Sequence, residues 1–455
     1  MSETQATRLP AFKAYDIRGR IPDELNEELV DKVARAFAAF LKPRRVAVGY
    51  DVRLTSPHFA EVATEALRGA GVDVVEIGRC GTEMVYFATF HLGLDGGIMV
   101  TASHNPADYN GLKLVREEGK PISADTGLKE IEQMVLAGNF PAAGRQGVVE
   151  RRDVSAPYVQ HLLSYVDPGR LRPLQVVCNL GNGGAGPIID LLEPHLPLRF
   201  HKLHHEPDGR FPNGIPNPLL PDRRAATVDA VLSRKADLGI AWDGDFDRCF
   251  FFDEQGGFVE GYYIVGLLAE RVLERHPGSK IVHDPRLTWN SIEQITGAGG
   301  IPVQSKSGHA FMKETMRRVD AVYGGELSAH HFFREFAYCD SGMIPWLLVV
   351  DRMSTTGKPL SELVGERMRR YPASGEINRR VDDQAAAMRR VLDRYRGEAL
   401  RVDETDGVGI EFPRWRFNLR PSNTEPLIRL NVESRGDAAL MREKTQEVLD
   451  LLGGA

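Results

Sequence analysis

Short apolar runs alternate with longer stretches of helical periodicity through most of the chain. Arg45 to Tyr50 reads as a strand. Pro57 to Gly69 reads as a helix that gathers Ala60, Val62, Ala63, Ala66 and Leu67 on overlapping faces, and Val72 to Ile77 is the next strand. Val85 to His91 is helical, and Gly97 to Thr101 is a buried strand that runs into Ser103. Repetition of this kind predicts an α/β unit with a largely parallel sheet. The pattern restarts at Leu174 to Leu180, passes through a helix over Asp222 to Lys235, and reaches a strand, Leu238 to Trp242, that delivers Asp243. It restarts again at Lys280 to His283, with a helix over Ala310 to Val319, a strand at Ala321 to Tyr323 and an apolar helix over Ser341 to Met353. Beyond Tyr371-Pro372 the character changes to a helix, three short strands and a closing helix over Ala438 to Leu452, which predicts an α+β block. The layout repeats three times without detectable residue identity. Each α/β unit sets a polar loop after a buried strand, at the carboxyl edge where open α/β sheets bind ligands.

A chain of 455 residues exceeds what one hydrophobic core usually serves, so several domains are expected. The net charge of -6 and the lack of a basic tail argue against nucleic acid as a partner. The four cysteines, Cys80, Cys178, Cys249 and Cys339, show no paired spacing, which excludes a zinc motif or a disulfide scaffold. The polar start, Met1 to Arg8, does not resemble a signal peptide, and no apolar run is long enough to span a membrane. A cytoplasmic enzyme is the expectation.

Two loops carry chemistry. In Thr101-Ala102-Ser103-His104-Asn105-Pro106, Pro106 keeps Asn105 out of a helix and defines a turn. The return through Asn110-Gly111-Leu112-Lys113 brings Lys113 back toward Ser103. A serine acts only with help from a base, a cation or desolvation, and His104 and Lys113 are the local sources. The bland alternative is that Ser103 caps a helix or closes a turn. In Asp243-Gly244-Asp245-Phe246-Asp247-Arg248 the aspartates are two apart, so an extended segment directs three carboxylates one way. Gly244 is read as permitting a sharp turn. Such carboxylates repel unless a cation joins them, and oxygen-only ligands favour magnesium or calcium over zinc. The alternative is a solvated acidic turn.

Further polar loops follow. Gly325-Glu326-Leu327-Ser328-Ala329-His330 alternates groups suited to sugar hydroxyls. Arg420-Pro421-Ser422-Asn423-Thr424 combines a guanidinium, hydroxyls and an amide as a phosphate cradle, with Arg429 close in sequence. His309, in Ser307-Gly308-His309, is either an acid–base group or a core histidine. Tyr15 and Arg18, three apart, are expected on one face.

These four loops, in this order, resemble the α-D-phosphohexomutase superfamily, and within it the bacterial phosphomannomutase/phosphoglucomutase group. The resemblance covers essentially the whole chain. It implies three similar α/β domains with mixed sheets plus a smaller α+β C-terminal domain around a central active-site cleft, with domains at 1–150, 151–252, 253–366 and 367–455. It implies that Ser103 is phosphorylated and that Asp243, Asp245, Asp247 and the Ser103 phosphate bind Mg²⁺, with glucose 1,6-bisphosphate as activator and intermediate. His104, Lys113, Arg248 and His309 would join the catalytic group. Tyr15, Arg18, Arg286, Glu326, Ser328, His330, Arg420, Ser422, Asn423, Thr424 and Arg429 would bind substrate. Two positions depart from the pattern: Ala329 stands where glycine is common, and Arg286 where lysine is expected. The implied reaction moves a phosphoryl group between positions 1 and 6 of glucose and mannose phosphates, with no obligatory protein partner. An amino-sugar phosphate mutase is the alternative within the superfamily, and a sugar-phosphate phosphatase or binding protein a more distant one.

Overall fold

The computed structural model describes residues 9–422 and 427–453. The chain forms two compact units. The first holds the chain through Gly256 together with Glu335–Thr355, and the second holds Gly257–Arg334 with the chain from Thr356 onward. An excursion of about one helix from the middle of the chain, Ile344–Thr356, therefore packs almost wholly with the first unit. That helix starts three residues later than the sequence suggests.

Within the first unit, helix Glu27–Leu41 shows how local sequence sets an element. Asn26 accepts a hydrogen bond from the Leu29 amide as N-cap, and Glu27 and Glu28 occupy the first turn, where the helix dipole favours anions. Val30, Val33, Ala34, Phe37 and Ala38 then form the buried stripe. Together with helix Ser56–Gly69 it feeds a core that includes Val46, Val48, Ile98 and Leu114 from the sheet.

One strand topology occurs three times. In the first sheet, strand Arg45–Tyr50 lies between Asp73–Arg79 and Gly96–Val100, parallel to both. The antiparallel strand Tyr109–Arg116 follows. In the second, Gln175–Asn179 lies between Arg199–Leu203 and Leu238–Trp242, and Cys249–Phe252 returns antiparallel. In the second unit, Lys280–His283 lies between Ile301–Gln304 and Tyr323–Gly325, and His331–Phe333 returns antiparallel. The chain leaves the central strand toward one side and comes back on the other, which opens a crevice at the carboxyl ends of the central and third strands. The hairpin after each third strand hangs over that crevice. Those three hairpins are the serine loop, the aspartate loop and the Glu326 loop. The sheets are thus mixed, and each of the three loops singled out in the sequence is a third-strand-to-fourth-strand turn.

The C-terminal sheet, ordered Ile377–Arg380, Leu427–Ser434, Trp415–Pro421, Val408–Glu411 and Arg401–Asp403, is antiparallel throughout. Helices Gln384–Tyr395 and Ala438–Leu452 supply Val391, Tyr395, Val448 and Leu452 to its core. Among the described residues no helix is long and apolar enough to cross a membrane.

Candidate active site

Ser103 is 2% exposed and adopts φ 50°, a left-handed conformation that costs a non-glycine residue roughly 1–2 kcal/mol. It does not cap a helix. Its hydroxyl donates to Asp243 Oδ2 at 2.8 Å and lies 3.0 Å from His104 Nδ1. Its amide donates to the Thr101 hydroxyl, which in turn donates to Asp51 Oδ2 at 2.7 Å. Asp51 also accepts from the Ser56 hydroxyl and the Arg53 amide, and Asn110 Nδ2 donates to Ser56. Burial, and next to it the charge of Arg248, holds the His104 imidazole well below the usual histidine range, so it is neutral at pH 7.

The aspartate loop is no solvated turn. Asp243, Asp245 and Asp247 are buried, with one carboxylate oxygen from each within 4.8 Å of the others. Gly244 does not take a left-handed turn. A Cβ there would stand 2.5 Å from the Ser103 carbonyl oxygen, so the glycine serves close approach of the two loops. The left-handed residue is Phe246, at φ 48° and fully buried. Its ring fills a socket where a Cβ on Gly81 would come within 2.2 Å and one on Gly184 within 3.1 Å. A Cβ on Gly342 would press within 2.4 Å of the Phe246 carbonyl. The glycine-rich segment after strand Gln175–Asn179 thus supports the aspartate loop, and the Gly184 amide donates to the Gly244 carbonyl.

Lys113 Nζ donates to Asp245 Oδ2 and Asp247 Oδ2, both at 2.7 Å. Burial works against its charge, but the two carboxylates outweigh it and raise its pKa, so it stands here as an ammonium. The same pairing outweighs burial at Asp245 and holds its carboxyl well below the carboxylate range. Thr82 donates to Asp245 Oδ2 as well, yet Asp245 Oδ1 is buried without a hydrogen-bond partner among the described residues. Arg248 Nη2 reaches Asp243 Oδ2 at 2.8 Å and also contacts His104 Nδ1. A converging, oxygen-only set with an unused buried carboxylate oxygen fits a hard divalent cation such as Mg²⁺.

Arg18 and Tyr15 are not brought together by helical spacing. Arg18 lies on the strand Ile17–Arg20, paired with Asp16 at 2.7 Å and donating to Asn105 Oδ1 of the serine loop at 2.8 Å.

In the second unit, Glu326 is buried, accepts from the Gly308 amide, and lies 3.4 Å from His330 and 3.6 Å from Arg286. Burial would raise its pKa, but His330 and Arg286 outweigh that and lower it. Ser328 Oγ is 3.3 Å from both His330 Nδ1 and Arg286 Nη2. Arg286 Nη2 donates to Asp284 Oδ2 at 2.6 Å, and Asp284 also accepts the Leu327 amide. Arg286 therefore braces the sugar-type loop. Ala329 takes φ 66°, a left-handed conformation that favours glycine. His309 opens helix His309–Val319 with its ring 6.1 Å from that of His330.

Arg420 and Arg429 stand directly opposite each other on adjacent strands. Like charges facing across a ladder are destabilising unless neighbouring anions compensate them, and Asp406 Oδ2 accepts from Arg420 Nη1 at 3.0 Å. Glu376 lies 3.6 Å from Arg420, 4.0 Å from Arg429 and 3.4 Å from Arg286. Ser422 donates its amide to the Leu427 carbonyl, closing the base of the hairpin. Asn423 and Thr424 lie outside the described residues.

Sequence reasoning missed Asp51, Thr82 and Arg416, and placed Arg53 only at the end of the strand that closes with Tyr50, with no role. Arg416 is 5% exposed and donates to the carbonyls of Pro285 and Arg286 and to Glu433. The polar residue at a strand's carboxyl end, Asp51 after Tyr50, was the one available signal.

Four models of one family match in succession. They are the phosphoglucomutase/phosphomannomutase α/β/α domain I at residues 10–142, domain II at 156–257, domain III at 260–371 and the C-terminal domain at 376–450. The chain is 60% identical over 446 residues to a protein of Xanthomonas campestris pv. campestris named for phosphohexose mutases, covering 98% of this chain and 100% of the relative. It is 58% identical over 454 residues to a phosphomannomutase of Salmonella montevideo, covering 98% and 99%. A crystal structure of a phosphoglucomutase/phosphomannomutase family protein from Burkholderia thailandensis superposes with a TM-score of 0.87 at 30% identity, covering 97% of each chain.

Proposed function

The chain belongs to the phosphoglucomutase/phosphomannomutase family and is a phosphohexomutase; from that premise we propose that it interconverts the 1- and 6-phosphates of mannose and glucose through a phosphoserine at Ser103. The observation that carries this reading is the buried Ser103 hydroxyl, hydrogen-bonded to one member of a buried three-carboxylate cluster.

In the proposed cycle the bond between phosphorus and Ser103 Oγ breaks as a bond to the free hydroxyl of a hexose phosphate forms. The product is a hexose 1,6-bisphosphate. In this first transfer the proton of the attacking hydroxyl ends on Ser103 Oγ. The other phosphoryl group then returns to Ser103 Oγ, and the Ser103 proton passes to the sugar oxygen that this transfer frees, with Asp243 Oδ2 placed to accept it on the way. Asp243, Asp245 and Asp247 would hold Mg²⁺, which when bound supplies charge to neutralise phosphoryl oxygens. Lys113 and Arg248 contribute fixed positive charge beside the same loop. In the second unit, Glu326, Ser328 and His330 read sugar hydroxyls, while Arg420 and Arg429 grip the phosphate that is not transferred. Beyond the covalent role of Ser103 Oγ itself, such catalysis rests on positioning and charge neutralisation.

The test is initial-rate measurement with mannose 1-phosphate, glucose 1-phosphate and glucosamine 1-phosphate, each with Mg²⁺ and a trace of glucose 1,6-bisphosphate. Turnover of the first two to 6-phosphates is expected. Turnover of the amino sugar alone would reassign the substrate, and stoichiometric release of inorganic phosphate would make the protein a phosphatase.

A further inference from the structure

Arg53 is 1% exposed, so it cannot reach a substrate, yet its guanidinium is spent entirely on the serine loop. Nη1 donates to the carbonyls of Pro106 at 2.6 Å and Tyr109 at 2.8 Å. Nη2 donates to those of Ser103 at 2.9 Å and Asn105 at 2.6 Å. Asp51 Oδ2 lies 3.3 Å from Nε and supplies the counter-charge. The ring of Phe211 covers the guanidinium at 5.2 Å, and Gly209 lets that covering segment approach, since a Cβ there would meet the Val52 carbonyl at 2.4 Å.

We propose that Arg53 is a positioning residue that holds Ser103 in its left-handed, reactive conformation by binding four carbonyls of residues 103–109 at once. The assignment rests on the phosphoserine reading above, and it adds a residue that motif reading does not reach. A left-handed serine persists only where its surroundings over-determine it. The carbonyl of Ser103 itself is one of the four acceptors, so the clamp acts on the strained residue directly. With that carbonyl released, Ser103 relaxes to negative φ and its hydroxyl leaves Asp243 and His104. A planar fork with five donors can serve four carbonyls, whereas an ammonium carries three donors on one nitrogen and cannot span them.

The experiment compares wild type, Arg53→Lys, Arg53→Ala with and without added guanidinium at non-denaturing concentration, and Phe211→Ala as a milder variant that uncovers the clamp. Hexose-phosphate turnover, the rate at which Ser103 takes up phosphate from glucose 1,6-bisphosphate by intact mass, and amide exchange across 101–110 and 27–41 are read together. Arg53→Lys is expected to lose about 100-fold in kcat with KM nearly unchanged. Phosphate uptake slows in step, and exchange speeds up at 101–110 but not at 27–41. Guanidinium restores part of kcat to Arg53→Ala, and methylammonium does not. Phe211→Ala lies between wild type and Arg53→Lys in both readouts, which keeps the test decisive should the Arg53 variants fold poorly. Full kcat and unchanged exchange in Arg53→Lys, or unchanged behaviour of Phe211→Ala, would overturn the proposal. A wild-type protein that never phosphorylates Ser103 would instead overturn the functional reading, and the exchange comparison would still judge the clamp.

Discussion

Replacing Gly81 by alanine should damage the cation loop from outside it. The new Cβ would lie 2.2 Å from the Phe246 ring, about 1.3 Å inside the ~3.5 Å at which carbons come into contact. The ring cannot simply retreat, because it is fully buried and already close against Gly184. The overlap must pass into the backbone of Phe246, which lies between Asp245 and Asp247. Overpacking of this size costs about 1–3 kcal/mol of stability. A shift of about 1 Å in the carboxylates should lower kcat about 100-fold and raise the Mg²⁺ midpoint about 10-fold or more. Phe246→Ala alone should cost about 3–5 kcal/mol through the cavity it leaves. The double variant should be at least ~1 kcal/mol more stable than the sum of the two, because the added methyl enters the vacated socket. Urea denaturation gives the cycle, and initial rates against Mg²⁺ concentration give the midpoint. Gly81→Ala with wild-type stability and midpoint, or two penalties that add within about 0.5 kcal/mol, would refute the socket as the support of the loop.

Other outcomes follow from single residues. Arg429→Gln should raise KM for hexose phosphates about 10- to 100-fold, the worth of one charge-assisted hydrogen bond, without lowering stability, because it relieves the facing Arg420. Buried His331, whose Nδ1 lies 2.7 Å from the Tyr323 hydroxyl, has its pKa lowered by burial to about 3. The unfolded chain takes up that proton first, near pH 6.5, so this contribution is complete above pH 6.5. It is lost at about 1.4 kcal/mol per unit as pH falls toward 3. The pH dependence of urea midpoints should lose this slope in His331→Gln. Ala329→Gly should stabilise by about 0.5 kcal/mol, since relief of left-handed strain exceeds the added freedom of the unfolded chain, and a clear loss of melting temperature would contradict this.

What the sequence disclosed was local. Ser103 and the three aspartates carry their chemistry in adjacent residues, so their loops were visible before any contact was known. The hairpin setting of each loop was visible only as a polar segment after a buried strand. Arg53 was visible at a strand end but without a role, because its partners are main-chain carbonyls about fifty residues away, which no side-chain pattern encodes. The left-handed turn expected at Gly244 falls at Phe246, because backbone handedness depends on what packs behind the loop. Arg429 looked merely near Arg420 in sequence, whereas antiparallel register sets the two face to face. The three-residue spacing of Tyr15 and Arg18 suggested one face, but Arg18 sits on an edge strand that the short Ile17–Arg20 segment did not signal. Arg286 reads as a phosphate ligand by its type, and its ion pair with the buried carboxylate of Asp284 was not visible in the sequence. The packing of Glu335–Thr355 with the first unit is a long-range fact that sequence order conceals.

The central claim is that one phosphoryl group resides on Ser103 between two transfers. Enzyme loaded with isotopically labelled phosphate from glucose 1,6-bisphosphate, freed of excess reagent and mixed with unlabelled mannose 1-phosphate, tests it in a single turnover. The account predicts label on the peptide containing Ser103 before mixing, and in mannose 1,6-bisphosphate and mannose 6-phosphate afterwards, with Ser103→Ala neither labelled nor active. Label released as inorganic phosphate, or undiminished turnover by Ser103→Ala, would contradict it.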